Sequence, residues 1–200
     1  MILSLLRMLH ISDASIRFSK WSRPMGHLLY KKTVGIIGCG RIGKKIADYL
    51  KIFECTVIAS DQVNFNSEGI SFMELDELLL SADIVTLHLP YSKQNHHIIN
   101  NERISIMKKG AYLVNAARGG LVDENALLKA LKSGHLAGAG LDCFEKEPYD
   151  GPLKDLPNVL LTAHLGSYAK EARLMMETQA ARNLIKQLQE LCILSKSVLK

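Results

Sequence analysis

The sequence of 200 residues is long enough for one domain, or for one domain with an appendage, and 48% hydrophobic with 22% charged residues excludes a disordered chain. A net charge of +5 favours nucleic-acid binding only weakly, because the basic residues occur in separate pairs and form no basic arm. The opening MILSLLRMLH is too short for a membrane span and lacks a signal-peptide cleavage site, so we expect a cytoplasmic protein with no membrane and no nucleic-acid partner.

Residues 1–30 precede the regular part of the sequence. ILSLLRMLHISDASI is typical of one amphipathic helix, and WSRPMGHLLYKK predicts an irregular approach to a first strand. A helix that begins at residue 1 without a capping residue suggests that a segment which normally precedes it is absent. We expect the apolar face of residues 1–9 to be covered by a second copy, by an absent domain or by another chain.

From residue 33 onwards, short Val- and Ile-rich runs alternate with helix-length segments. Runs that are apolar at successive positions are typical of parallel strands covered on both faces. The predicted strands cover residues 33–37, 56–60, 70–72, 84–88, 111–115, 137–141 and 159–162, and the predicted helices cover 41–53, 74–81, 101–107, 124–133 and about 169–191. The alternation predicts an α/β fold with a doubly wound parallel sheet of about seven strands, a domain over 31–190 and a tail over 191–200.

The segment GCGRIG, residues 38–43, directly follows the first predicted strand and opens a helix. Gly38 would make the tight turn, Gly40 would let the backbone approach a pyrophosphate, and Gly43 would let helix and strand pack closely. The N-terminus of the helix would then offer free N–H groups and a partial positive charge to the phosphates.

Asp61 stands at the end of the second predicted strand, 18 residues beyond Gly43. An acidic side chain there accepts hydrogen bonds from the adenine ribose and repels a 2′-phosphate. No Arg or Lys stands at positions 62–64, so the pattern favours NAD over NADP as cofactor. The alternative is a glycine turn beside a surface Asp.

Three further predicted strands end in residues that bear chemistry. Arg118 follows the strand 111–115, Asp142, Glu145 and Glu147 follow 137–141, and His164 follows 159–162. Each of these has an ordinary structural explanation when it is taken singly, as a loop charge or a strand-capping histidine. Because ligands bind outside the carboxyl ends of parallel strands, their shared edge favours a catalytic site.

These groups suit the reduction of a carbonyl by a nicotinamide hydride. Arg118 would hold a carboxylate with two hydrogen bonds and polarise the adjacent carbonyl. His164 would donate the proton, and Glu147 would orient the imidazole if it reaches the other ring nitrogen. The expected substrate is a small 2-hydroxy or 2-oxo acid.

Residues 21–188 resemble the D-2-hydroxyacid dehydrogenase family, which includes the D-3-phosphoglycerate dehydrogenases. The motifs KTVGIIGCGRIG, LHLP, NAARGGLVDE, LDCFEKEP and TAHLGS occur in the family's order. The resemblance implies a Rossmann-type NAD-binding domain with Arg118, Glu147 and His164 as the catalytic set. It also implies Asp142 near the nicotinamide carboxamide, and His88 and Pro90 beside the adenosine half. The expected cofactor contacts are Gly38, Gly40, Arg41, Ile42, Gly43, Asp61, His88, Pro90, Ala116, Asp142 and Gly166.

The sequence departs from the family mainly in length. Family members carry a further substrate domain, mostly ahead of the nucleotide domain, so residues 1–30 are expected to be its remnant and the element that crosses between domains. The chain is then a dehydrogenase domain cut from a longer protein or encoded by a shortened gene, or an NAD(H)-binding or interaction module without turnover. The resemblance also implies a homodimer. The cysteines Cys39, Cys55, Cys143 and Cys192 show no C-x-x-C spacing, so we expect buried free thiols and no metal site.

Overall fold

The structure, a computed structural model of the chain, describes residues 1–62 and 68–190. The predicted tail 191–200, with Leu191 and Cys192, lies outside the described residues. The chain forms two compact units, Met1–Ala163 and His164–Lys200. The predicted domain bounds after residues 30 and 190 stay predictions.

The first unit is built on a parallel sheet, and the predicted fold class is confirmed. In the described residues the sheet has seven strands in the order β3-β2-β1-β4-β5-β6-β7, and every neighbouring pair is parallel. The strands are β1 Thr33–Ile37, β2 Thr56–Ser60, β3 Ser71–Phe72, β4 Ile84–Leu87, β5 Ala111–Asn115, β6 Leu136–Leu141 and β7 Val159–Leu161. The helices are α1 Ile2–Leu6, α2 Leu9–Arg17, α3 Arg41–Ile52, α4 Leu75–Ser81, α5 Asn101–Ile106, α6 Glu124–Lys132 and α7 Lys170–Glu190.

The strand order reverses between β1 and β4, and the candidate functional site lies at this reversal. The chain proceeds from β1 outward through β2 to β3, then returns to the other side of β1 for β4 and the strands beyond it. The crossover connections therefore leave in opposite directions at the carboxyl ends of β1 and β4, which opens a crevice there. All four residues of β4 are buried, as expected for a central strand covered on both faces.

The ends of the predicted strands and of the helices from α3 onward agree with the described elements to within one residue. Helix caps explain part of this agreement. The side chain of Asn100 accepts the Arg103 N–H at the start of α5, and Asp123 accepts two N–H groups at the start of α6.

The prediction of one helix at the N-terminus is wrong, because α1 ends at Leu6 and α2 begins at Leu9. In a continuous helix the carbonyl of Leu6 would accept the N–H of residue 10. It accepts the N–H of His27 instead, at 2.8 Å. Gly26 passes so close that a Cβ there would lie 2.3 Å from the same carbonyl oxygen. The N–H of His27 thus replaces the helical hydrogen bond to the carbonyl of Leu6, and Met8 adopts a left-handed conformation with φ 52°.

Helix α1 packs on the sheet of its own unit, which corrects the expected need for outside cover. Leu5 and Leu6 are only 3% and 1% exposed. Gly140 of β6 provides the space, since a Cβ there would lie 3.0 Å from Cδ1 of Leu5. Of the predicted apolar face, Leu3 and Leu9 remain exposed.

The second unit contains α7, a helix of 21 residues that carries an i,i+4 ion pair between Arg173 and Glu177. Leu174, Met175 and Met176 are exposed on it. No helix in the described parts of the chain is long and apolar enough to cross a membrane.

Candidate active site

The glycine loop after β1 has the geometry expected for each of its glycines. Gly38 adopts φ +89°, and a Cβ on it would lie 2.8 Å from the carbonyl carbon of His88. A Cβ on Gly43 would lie 2.3 Å from the carbonyl oxygen of Gly38. These two positions therefore require glycine so that the turn can close and α3 can pack against it.

Gly40 differs from its neighbours because nothing lies within 4 Å of the position of its Cβ. It is the N-cap residue of α3 at φ −74°, a conformation open to any residue. Arg41 and Ile42 follow in the exposed first turn of the helix. The open space lies where α3 presents its first N–H groups, which suits a phosphate-bearing ligand.

A cleft of about 920 Å³ runs along the carboxyl ends of β1, β2 and β4. It brings together five of the predicted cofactor residues: Gly38, Gly40, Asp61, His88 and Pro90. Sequence reasoning missed other residues that line it, among them Phe72, Met73, Ser92, Asn95 and Ile98, because they belong to loops and a two-residue strand without a motif.

Asp61 lies against the glycine loop. Its Oδ2 accepts a hydrogen bond from the Cys39 N–H at 2.6 Å. The carboxylate that is expected to meet the ribose is therefore held at the same loop that is expected to meet the phosphates. Positions 63 and 64, used in the argument against NADP, lie outside the described residues.

His88 forms a neutral wall of this cleft. Burial lowers its pKa to about 4. Its Nε2 lies 2.9 Å from the hydroxyl oxygen of Thr86, which is itself buried. The imidazole is therefore uncharged at neutral pH and adds no positive charge to the cleft.

Three loops leave the carboxyl ends of the central strands. They are the β4 loop (residues 88–100), the β5 loop (116–123) and the β6 loop (142–158).

The buried side chain of Asn115 forms hydrogen bonds with the first residues of the β5 loop. Its Nδ2 donates to the carbonyl of Arg118 at 2.8 Å, and its Oδ1 accepts the N–H of Ala117 at 3.1 Å. Nη1 of Arg118 donates to the carbonyl of Ala117 at 2.6 Å, which uses one of the five donors of the guanidinium. Ala116 is exposed.

Two glycines let the β5 loop touch both of its neighbours. A Cβ on Gly119 would lie 1.9 Å from the carbonyl carbon of Phe144 in the β6 loop. A Cβ on Gly120 would lie 2.7 Å from Cε2 of Tyr91 in the β4 loop. The predicted motif AARGG therefore contains glycines that serve loop contact, and this contact places Arg118 beside the β6 loop.

Arg118 lines a second cleft, of about 650 Å³, together with Pro90, Tyr91, His96, Gly119, Gly120 and Glu145. Pro90 also lines the first cleft, so the two adjoin. Tyr91 and His96 were missed by sequence reasoning, since a tyrosine and a histidine in a loop carry no signal of their own.

The β6 loop begins with a buried acid. Asp142 is 5% exposed and accepts the hydroxyl proton of Thr162. Its backbone N–H donates to the carbonyl of Asn115 at 2.9 Å, which ties the ends of β5 and β6 together. Glu147 is exposed, and its Oε1 accepts the N–H of Phe144 at 3.0 Å. The structure therefore places Asp142 at the base of this loop and Glu147 on the part of it that Gly119 touches.

His164 and Gly166 belong to the second unit. His164 follows Ala163, the last residue of the first unit, and has an exposed side chain and φ +55°. Its catalytic role, and the cofactor role of Gly166, stay predictions.

Cys39, Cys55 and Cys143 are free thiols, of which Cys39 and Cys143 are buried. Burial, with the carboxylate of Asp142 adding to it, raises the pKa of Cys143 to about 12, so this thiol stays protonated. No group of three or more His, Cys, Asp or Glu in residues 1–62 and 68–190 is placed to hold a metal ion.

A parallel sheet with a glycine turn at its reversal point, an open helix N-terminus and an acid after the second strand defines a dinucleotide-binding domain. Comparison with known families specifies the class further. Residues 1–166 match the model of the D-isomer specific 2-hydroxyacid dehydrogenase, NAD binding domain. The chain belongs to that family, and NAD is its cofactor.

Similar proteins carry more than one name. The chain is 42% identical to a D-3-phosphoglycerate dehydrogenase of Bacillus subtilis (strain 168), in an alignment that covers 92% of this chain and 37% of that protein. It is 42% identical to a glyoxylate reductase of Thermofilum pendens, with 92% and 58% covered. A solved D-lactate dehydrogenase from Aquifex aeolicus, complexed with NAD and lactic acid, superposes with a TM-score of 0.83 at 34% identity, covering 94% of this chain and 65% of that one. The chain thus spans between 37% and 65% of the length of these relatives.

The contrast between Gly40 and Gly43 tests the cofactor site. We expect Gly40→Ala to leave the unfolding temperature of the chain unchanged, because the added Cβ meets open space. The same substitution should raise the Kd for NADH about tenfold, or ~1.4 kcal/mol, because the added Cβ occupies the space through which the pyrophosphate approaches the backbone. Gly43→Ala should lower the unfolding temperature as well as the affinity. NADH fluorescence titration and thermal unfolding measure both effects. An unchanged Kd in a folded Gly40→Ala chain would show that the pyrophosphate does not approach Gly40.

Proposed function

We propose that this chain is the nucleotide half of an NAD-dependent dehydrogenase that interconverts a D-2-hydroxy acid and its 2-oxo acid. The observation that carries the proposal is the cleft with Arg118, which adjoins the cofactor cleft at Pro90. Such a position suits a substrate that has to meet the reactive end of the bound cofactor. NAD supplies or accepts the hydride when it is bound.

Arg118 binds the substrate in this proposal. Its guanidinium grips the carboxylate of a 2-oxo acid with paired hydrogen bonds and polarises the neighbouring carbonyl. The hydrogen bonds among Asn115, Ala117 and Arg118 hold the backbone from which the guanidinium extends. A preorganised cation stabilises the negative charge that develops on the carbonyl oxygen without moving during the reaction.

His164 moves the proton. A protonated imidazole donates to the carbonyl oxygen during reduction, and a neutral one removes the hydroxyl proton during oxidation. Glu147 orients that imidazole and favours its protonated form. The support for these roles is the residue types and their positions after β7 and β6.

The proposed substrate is a small 2-hydroxy or 2-oxo acid, and the proposal names the class without choosing one acid within it. A phosphoglycerate dehydrogenase and a glyoxylate reductase are equally similar to the chain, at 42% identity each. D-3-phosphoglycerate is one candidate within this class. A substrate domain of the kind expected from the family resemblance would select among the acids, because Arg118 recognises only the groups that all of them share.

Turnover of NADH tests the proposal. We expect the chain to oxidise NADH with at least one of glyoxylate, pyruvate and 3-phosphohydroxypyruvate, and His164→Ala to lower kcat about 10²- to 10⁴-fold, as removal of a general acid does. His27→Ala is the matched control, since His27 is an exposed histidine that lines a separate cleft with Lys32 and Asp83, the residues that precede β1 and β4. Absorbance at the NADH band follows the reaction.

NADH binding without turnover of any of these acids would contradict the dehydrogenase proposal. It would favour the alternative, an NAD(H)-binding or interaction module. Turnover that survives His164→Ala would instead contradict the role of His164.

We further propose that the protein is a cytoplasmic homodimer. The dimer is supported by Phe18, Trp21, Met25 and Leu28, large apolar side chains that are exposed within one short segment after α2. Light scattering coupled to gel filtration should give twice the chain mass of 22.2 kDa. Trp21→Ser with Met25→Ser should shift the chain towards the monomer, whereas Ile52→Ser, on a separate exposed position of α3, should not. A monomer at every accessible concentration would overturn this proposal.

A further inference from the structure

Three loops of the candidate active site meet at His97 of the β4 loop. The backbone N–H of His97 donates to the carbonyl of Gly120 in the β5 loop at 2.8 Å. Two residues further on, Ile99 forms a parallel β-bridge with Val122. The β4 loop therefore runs alongside the part of the β5 loop that follows Arg118.

The side chain of His97 reaches the third loop. Its Nε2 lies 2.9 Å from Oε1 of Glu145 in the β6 loop. A carboxylate only accepts hydrogen bonds, so Nε2 carries the proton and donates it. The backbone N–H of Glu145 in turn donates to Oε1 of Glu124, the first residue of α6, at 2.8 Å. One side chain therefore connects the β4 loop to a β6 loop that is itself attached to α6.

The backbone of His97 is held in an uncommon conformation. Its φ is +50°, a left-handed value that costs energy for a residue other than glycine. The ring stacks on His96 with centroids 3.8 Å apart. His97 and Glu145 expose only 29% and 38% of their side chains, so solvent screens their pairing in part. Such a conformation persists when several contacts hold it, and here two loops supply them.

We propose that His97 is a positioning residue, which holds the loop carrying Glu147 against the loop carrying Arg118. Gly119 brings these two loops into contact on one side, and the His97–Glu145 pair closes the other side through the β4 loop. The catalytic consequence rests on the proposed function, whereas the coupling of the loops does not.

Hydrogen exchange tests the coupling without any reaction. We expect His97→Asn, which tolerates the left-handed φ and is too short to reach Glu145, to speed amide exchange of residues 144–147 about tenfold. Glu145→Ala should do the same, and Glu145→Gln, which keeps an acceptor, should restore most of the protection. Lys93→Gln, an exposed change in the same β4 loop, is the control. Unchanged exchange in both His97→Asn and Glu145→Ala would overturn the proposal.

Steady-state kinetics tests the consequence. We expect His97→Asn and Glu145→Ala to lower kcat with a 2-oxo acid about 10- to 100-fold, as small misplacements of reacting groups do, while the Kd for NADH changes by less than about twofold. The double variant should be no slower than the slower single variant, because both break one contact. A change in unfolding temperature alone, with kcat intact, would reduce His97 to a structural residue and overturn the positioning role. If the unmodified chain has no turnover, the proposed function fails, and the exchange experiment still decides whether His97 couples the loops.

Discussion

The close approach of Gly119 to the backbone of Phe144 is the constraint on which the candidate active site depends. A Cβ at Gly119 would lie 1.9 Å from the carbonyl carbon of Phe144, a distance that no side chain allows. The β5 and β6 loops therefore meet only because this residue is glycine. Arg118 precedes that contact, and the carboxylate of Glu147 bonds the N–H of Phe144 itself. This backbone contact thus fixes the relative positions of the two loops from which the guanidinium of Arg118 and the carboxylate of Glu147 extend.

The polar groups beneath this contact are buried and bonded to one another. Asn115 and Asp142 are 1% and 5% exposed, and each bonds a neighbouring strand end or loop. Burial of such groups without partners would cost free energy, so their bonds hold the strand ends in a defined arrangement. Arg118 provides a guanidinium to the second cleft, which the carboxylate of Glu145 also lines, while His88 in the first cleft is kept neutral by burial. The first cleft thus combines the neutral imidazole of His88 with the carboxylate of Asp61, whereas the second contains the guanidinium of Arg118, and Pro90 lines both clefts.

Much of the fold was predictable because local signals and tertiary structure agree in it. Apolar runs predict the buried strands, and capping residues such as Asn100 and Asp123 mark helix starts to within one residue. The N-terminal helix was predicted wrongly because its interruption depends on His27, which lies 21 positions after Leu6 in sequence and has no local signal. The same limit applies to the site. Gly38, Asp61 and Arg118 belong to motifs, whereas Tyr91, His96 and His97 act through contacts between loops that sequence periodicity does not encode.

The most direct test of the account asks whether Arg118 holds the carboxylate of a 2-oxo acid beside the cofactor. Oxamate, which has a carboxylate next to an amide carbonyl, imitates such an acid and accepts no hydride. Titration of oxamate into the chain saturated with NADH should change the NADH fluorescence and give a Kd that rises about 100-fold, or ~2.7 kcal/mol, in Arg118→Gln, since a paired charged hydrogen bond is lost. Equal oxamate affinity in the two chains, with NADH bound to both, would contradict the account.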